Sequence, residues 1–175
     1  MDLTTAITLA QKGKQEYEQG NYLAAADLFS QAAQVHSSMQ DELNAAELKN
    51  NESVALLQGG KAKEALRATE GTEDIFQKAG DIKRQGIAVS NRAAALEGLK
   101  KWSEALSEYD RAATLFEQIG EGDMHSIVRK TAANLHLKRG NITDSQMDVY
   151  DSLRLVEKPT LAQRIMKFFI RIGFR

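Results

Sequence analysis

The residues able to do chemistry in this 175-residue chain are ordinary in kind and widely spread. The three histidines, His36, His125 and His136, form no ligand-spaced cluster, so no metal site is expected. His36 stands where related positions carry Phe76 and Phe116 and is expected to pack at a helix end, while His125 falls at the start of a helix. The carboxylates read as spread over solvent faces, with no isolated pair to serve as general acid and base. The sequence has no cysteine, which removes thiolate zinc sites, iron–sulfur clusters, cysteine nucleophiles and disulfides. No phosphate-cradling glycine loop is present. Asn51-Glu52-Ser53 and Asn141-Ile142-Thr143 satisfy the glycosylation sequon only formally, with no secretory signal at Met1-Asp2-Leu3. The expectation is a non-catalytic protein without a cofactor.

One segment does carry a directed chemistry. From Thr160 to Arg175, Leu161, Ile165, Phe168, Phe169 and Ile172 fall at helical spacing, and Arg164, Lys167, Arg171 and Arg175 occupy much of the other side. The formal charge of the whole chain is −1, so this basic stretch of +4 leaves −5 for the rest. Pro159, the single proline, marks a boundary before the stretch, because it cannot extend a preceding helix. Residues 160–175 therefore read as a basic amphipathic helix with three possible seats: a cap on the body of the protein, a membrane surface, or a partner or second copy. Met166, Ile170 and Phe174 widen its apolar surface beyond what a simple cap needs.

The elements that must position these groups follow from composition and period. With 42% hydrophobic residues, 6% aromatics and one proline, the chain suits close-packed helices better than sheet. No apolar run approaches the ~18 residues of a membrane-spanning helix. Near-zero net charge argues against general nucleic-acid binding, and a cytoplasmic protein, peripheral at a membrane if the tail binds one, is expected.

The sequence repeats every 40 residues. Gly20, Gly60, Lys100 and Gly140 share one phase, Ala25, Ala65, Ala105 and Ser145 a second, and Gly13, Ser53, Ala93 and Ala133 a third. Within each copy, apolar residues at steps of three and four, such as Trp102, Ala105, Leu106, Tyr109, Ala112, Ala113 and Phe116, mark a helical stripe. The glycine series precedes each stripe, where a left-handed residue can turn one helix into the next. Asp41, Asp81 and Glu121 recur where each first helix begins, and the aspartates can cap it. Gly71 falls inside the helix expected for the second half of copy two, at a cost of about 1 kcal/mol relative to alanine.

Gly13, Tyr17, Gly20-Asn21-Tyr22, Ala25, Phe29 and Ala32, and again Ala93, Leu96, Trp102, Ala105, Tyr109 and Ala112, have the spacing by which the chain resembles the tetratricopeptide repeat family in a 40-residue-period form. The resemblance covers about residues 3–158. It implies an all-α, right-handed solenoid of four helix-turn-helix hairpins, about 1–40, 41–80, 81–120 and 121–159, followed by the helix of 160–175.

It also implies that the first helices line a concave groove. The lining would include Lys14, Tyr17, Asn50, Asn51, Val54, Leu57, Ser90, Asn91, Glu97, Lys130, Asn134 and Leu137. Asn51 and Asn91 are one period apart and project alike. Their amides could hold an extended peptide by its backbone, or bridge neighbouring helices and stiffen the stack. A carboxylate clamp for Hsp70 or Hsp90 is not expected, because the phase-matched set Ala10, Lys14, Asn51, Ile87 and Asn91 agrees poorly with the family's pattern. The leading expectation is an adaptor that binds a peptide or protein in the groove. The alternative is a membrane-associated or self-assembling scaffold organised by the tail.

Overall fold

A computed structural model describes residues 2–156, 158–160 and 162–164. Among these the chain is all-α: α1 Leu3–Glu18, α2 Tyr22–Ser38, α3 Glu42–Gln58, α4 Ala62–Ala68, α5 Thr72–Lys78, α6 Ile82–Gly98, α7 Trp102–Gln118, α8 Gly122–Lys138 and α9 Ile142–Ser152. Consecutive helices pack on one another except α4 and α5, which pack chiefly on α3 and α6, and the second helix of one hairpin packs on the first helix of the next, as in α2 on α3 and α7 on α8. This is a stack of helical hairpins, a solenoid.

The helix ends have local causes. Asp41 accepts a bond from Asn44 N at 3.3 Å and Asp81 from Arg84 N at 2.9 Å, whereas Glu121 makes no such bond. Gly20, Gly60, Lys100 and Gly140 all adopt positive φ, as the 40-residue phase predicts. A second left-handed series, Gln40, Gly80 and Gly120, joins one hairpin to the next. Each such residue is followed by an N–H that reaches back over the helix end, for example Asn21 N to Glu16 O at 2.9 Å and Lys101 N to Leu96 O at 3.0 Å.

The second hairpin departs from expectation at Gly71. This residue does not sit inside a helix. It has φ +75° and separates α4 from α5. Thr69 and Thr72 secure the break, their hydroxyls donating to Leu66 O at 2.7 Å and Thr69 O at 2.9 Å. A left-handed residue cannot continue a right-handed helix, so glycine here fits a turn and costs nothing.

The core is built from alanine and a few rings. Phe29 with Ala25, Ala26, Ala32, Ala33 and Leu48 forms one cluster, and Phe116 and Tyr109 with Val89, Ala93, Ala105, Ala112, Ala113 and Leu135 another. The two series of small residues are buried together at the hairpin crossing, where Ser53 Oγ donates to Ala65 O at 2.9 Å. Gly13 and Gly86 lie flat against rings: a Cβ on them would stand 2.9 Å from Phe29 Cε1 and 2.8 Å from Phe116 Cε1.

A candidate binding cleft between the first two hairpins

The first helices of hairpins one and two, α1 and α3, flank a cleft of about 700 Å³. Its walls are repeat-matched: Ile7 opposite Glu47, Gln11 opposite Asn51, Lys14 opposite Val54, each pair 40 residues apart. Phe29 and His36 of α2 also line it. The cleft is lined in phase because equivalent positions on stacked first helices turn to the same side.

The cleft is apolar in its walls and polar along its length. Leu3, Ile7, Ala10, Leu48 and Val54 offer hydrocarbon, and the amides of Gln11 and Asn51 lie midway along their helices. Towards the N-terminal ends, Asp41 binds His36 Nδ1 at 2.9 Å and Asn44 Nδ2 at 2.7 Å. The Asn44 side chain is the chief cause holding the Asp41 carboxyl below the usual range, with His36 adding to it. Towards the other end stand Lys14, 3.9 Å from Glu18, and Tyr17, edge-on to Tyr22. A ligand in the cleft would meet apolar surface, two amides and a gradient from carboxylate to ammonium.

Of the residues expected in the groove, Lys14, Tyr17, Asn51 and Val54 come together here. Three others are turned to different work. Asn50 is buried, 4% exposed, with an unpartnered Oδ1. Leu57 packs towards α6, where its Cδ1 lies 2.8 Å from the place a Cβ on Gly98 would take. Glu97 accepts from the Tyr109 hydroxyl at 3.0 Å and from Lys138 Nζ at 3.1 Å, and burial pushes the Tyr109 phenol well above its usual range. Asn91 is half-buried on α6 and Lys130 and Asn134 are exposed on α8, in phase with the cleft walls but outside the cleft. In the tail, Arg164 is exposed, and Leu161, Ile165, Lys167, Phe168, Phe169, Arg171, Ile172 and Arg175 lie outside the described residues.

Two features escape sequence reasoning. A hollow of about 390 Å³ opens at the α4–α5 break, lined by Thr69, Gly71, Glu73, Arg92 and Lys101 among others. The last hairpin also holds a charged cluster where solvent-facing carboxylates were expected. Arg129 of α8 contacts Asp110 of α7 and Asp148 and Asp151 of α9, the last at 2.6 Å. His136 lies 3.7 Å from both Asp144 and Asp148, and His125, fully buried, lies 3.5 Å from Asp151. Burial lifts the Asp148 carboxyl above its ordinary value against the pull of Arg129. The available signal was Arg129 in the phase of fully buried Val89. No group of three or more metal-ligating side chains occurs among the described residues.

A stack of helical hairpins with an open cleft between first helices defines the class of protein: an all-α helical-hairpin solenoid. The family model for the soluble NSF attachment protein, SNAP, matches residues 6–171, and the chain belongs to that family. The resemblance to tetratricopeptide repeats thus holds at the level of architecture, since this family is a solenoid of the same helical-hairpin kind. It is a family of helical adaptors that bind protein partners, without catalysis. No individual curated protein matches the chain. Among the described residues, no helix is long and apolar enough to cross a membrane.

Proposed function

We propose that this chain is a non-catalytic adaptor that holds a peptide or protein segment in the cleft between α1 and α3. The observation that carries the reading is the phase-matched lining of a single cleft by Ile7, Gln11, Lys14, Glu47, Asn51 and Val54. Apolar walls bind side chains without strict sequence demand, and the amides of Gln11 and Asn51 can each donate to and accept from a peptide backbone. The family description supplies one candidate partner, NSF, and the groove chemistry suits a segment with alternating apolar and polar residues.

Site-specific photocrosslinking tests this. A photoreactive side chain at Gln11, on the cleft, should capture a partner from a cell extract or from purified NSF, and one at Gln31, exposed on α2 away from the cleft, should not. Equal capture from Gln31, or capture from Gln31 alone, would place the partner elsewhere.

A further inference from the structure

We propose that the end of the cleft beside His36 binds a primary ammonium group, the side chain of a lysine in the segment the cleft holds; this rests on the cleft being the partner's seat. The first observation is His36 itself. It is 6% exposed, it lines the cleft, and its Nδ1 is engaged by Asp41 Oδ2 at 2.9 Å. Asn44 chiefly, and His36 after it, hold the Asp41 carboxyl below its usual range and so ionised. A carboxylate can only accept, so Nδ1 carries the ring's proton and Nε2 is left with a bare lone pair. Among the described residues nothing bonds Nε2. Packing alone asks only for a ring here, since hairpins two and three carry the fully buried Phe76 and Phe116 in the same phase. An imidazole in their place adds one acceptor, and a donor entering the cleft completes it.

The second observation is what surrounds that nitrogen. Asn44 and Glu47 line the same end of the cleft. Asn44 Nδ2 donates to Asp41 Oδ2 at 2.7 Å, which leaves the amide oxygen as an acceptor on the other side. Glu47 offers a carboxylate, one oxygen of which meets Arg84 Nη1 at 3.2 Å. Arg84 is itself held by Asp81 at 2.6 Å, so the local balance stays negative. The helix ends agree. Where α2 finishes, the negative end of its dipole favours a cation, whereas the positive end of α3 is already met by Asp41.

The third is the shape of the acceptor set. An imidazole nitrogen, an amide oxygen and a carboxylate oxygen come from three separate side chains on two helices. They suit the three N–H donors of an ammonium better than the planar fork of a guanidinium, which seeks both oxygens of one carboxylate, and Arg84 already holds one of those of Glu47. The apolar stem of a lysine has its own wall in Leu3, Ile7 and Leu48, the first two being 46% and 47% exposed with the cleft open. Lys14 stands about 10 Å further along α1 than Ile7 and sets the direction, because a cation is drawn to one end of the cleft and repelled from the other.

Titration of the full, isotopically labelled chain with n-pentylammonium tests this by NMR at about pH 8, where an imidazole is ordinarily neutral. Long-range nitrogen–proton spectra should show the His36 proton on Nδ1, and the probe should shift Nε2 with a Kd of about 1 mM, a usual affinity for so small a ligand. The uncharged n-pentanol, with the same stem, should bind at least about tenfold more weakly. Glu47→Gln, at an exposed position, should weaken n-pentylammonium by about tenfold without touching the fold. His36→Phe, which restores the ring of hairpins two and three, should weaken it by a similar factor while the amide resonances of α6 to α8 stay in place. A proton on Nε2, equal binding of n-pentanol, tighter binding of n-butylguanidinium, or unchanged affinity in both variants overturns the proposal. Photocapture from Gln11 alongside any of these results would leave the cleft as the partner's seat and remove only the lysine. Ammonium binding at His36 without photocapture would keep the site and overturn the reading of the cleft as the partner's seat.

Discussion

Gly86→Ala tests how tightly the hairpins are set, because it places two known effects in opposition. Gly86 lies in α6, and in an open helix its replacement by alanine would stabilise by about 1 kcal/mol. Here the new Cβ would stand 2.8 Å from Phe116 Cε1, 2.9 Å from Cζ and 3.2 Å from Cδ1. Phe116 is fully buried among Val89, Ala112, Ala113 and Val128, so the ring has little room to withdraw. Overpacking of this kind costs about 1–3 kcal/mol, which outweighs the helical gain and leaves a net loss centred near 1 kcal/mol. That corresponds to a fall of about 2–4 °C in Tm for a chain of this size. Urea unfolding followed by far-UV circular dichroism measures it. Phe116→Leu supplies the internal check: it vacates the space the methyl needs, so the double variant should be more stable than the sum of the singles by about 1 kcal/mol. Stabilisation by Gly86→Ala alone, or strict additivity in the cycle, would refute the close contact between α6 and α7 on which the stack depends.

Two further outcomes follow from the same physical rules. Gly71→Ala should destabilise by about 1 kcal/mol in urea, because residue 71 has φ +75°, whereas a glycine inside a continuous helix would give a gain of similar size. Burial holds the His125 imidazole below its usual pKa, against an opposing pull from Asp151. The unfolded chain therefore takes up the proton first, near pH ~6.5, and stability falls as pH drops through that point towards the lower folded value. In His125→Gln that part of the pH dependence of urea stability should vanish, glutamine being the buried residue at the matching position 85 in α6. An unchanged slope between about pH 7 and 5.5 would place the titration elsewhere.

The period made the hairpins legible because stacking forces equivalent residues into equivalent places. The left-handed residues at positions 20, 60, 100 and 140, the aspartate caps and the alanine crossings all follow from one 40-residue step. Gly71 was misplaced because copy two was read with the continuous second helix of its neighbours, and a local left-handed turn leaves no periodic trace. The cleft was legible only in part. Lys14, Tyr17, Asn51 and Val54 reach it, but phase fixes which side of a helix a residue takes and says nothing of how far adjacent helices stand apart. That spacing opens a cleft between α1 and α3, whereas α3 and α6 pack together and Leu57 is drawn into their contact. The partners of Glu97 were not legible for a related reason: Tyr109 and Lys138 lie on different helices, 12 and 41 residues away in sequence.

We propose the cleft between α1 and α3 as the place where a partner is held. Its most direct measurement is the affinity of the photocrosslinked partner for the full chain and for Lys14→Ala/Asn51→Ala, by titration calorimetry. Both residues are exposed on the cleft, so their removal should leave thermal stability within about 0.5 kcal/mol of the parent. Binding should weaken at least about tenfold, a loss of about 1.4 kcal/mol, with an unchanged melting curve. Unchanged affinity in a folded double variant would contradict it.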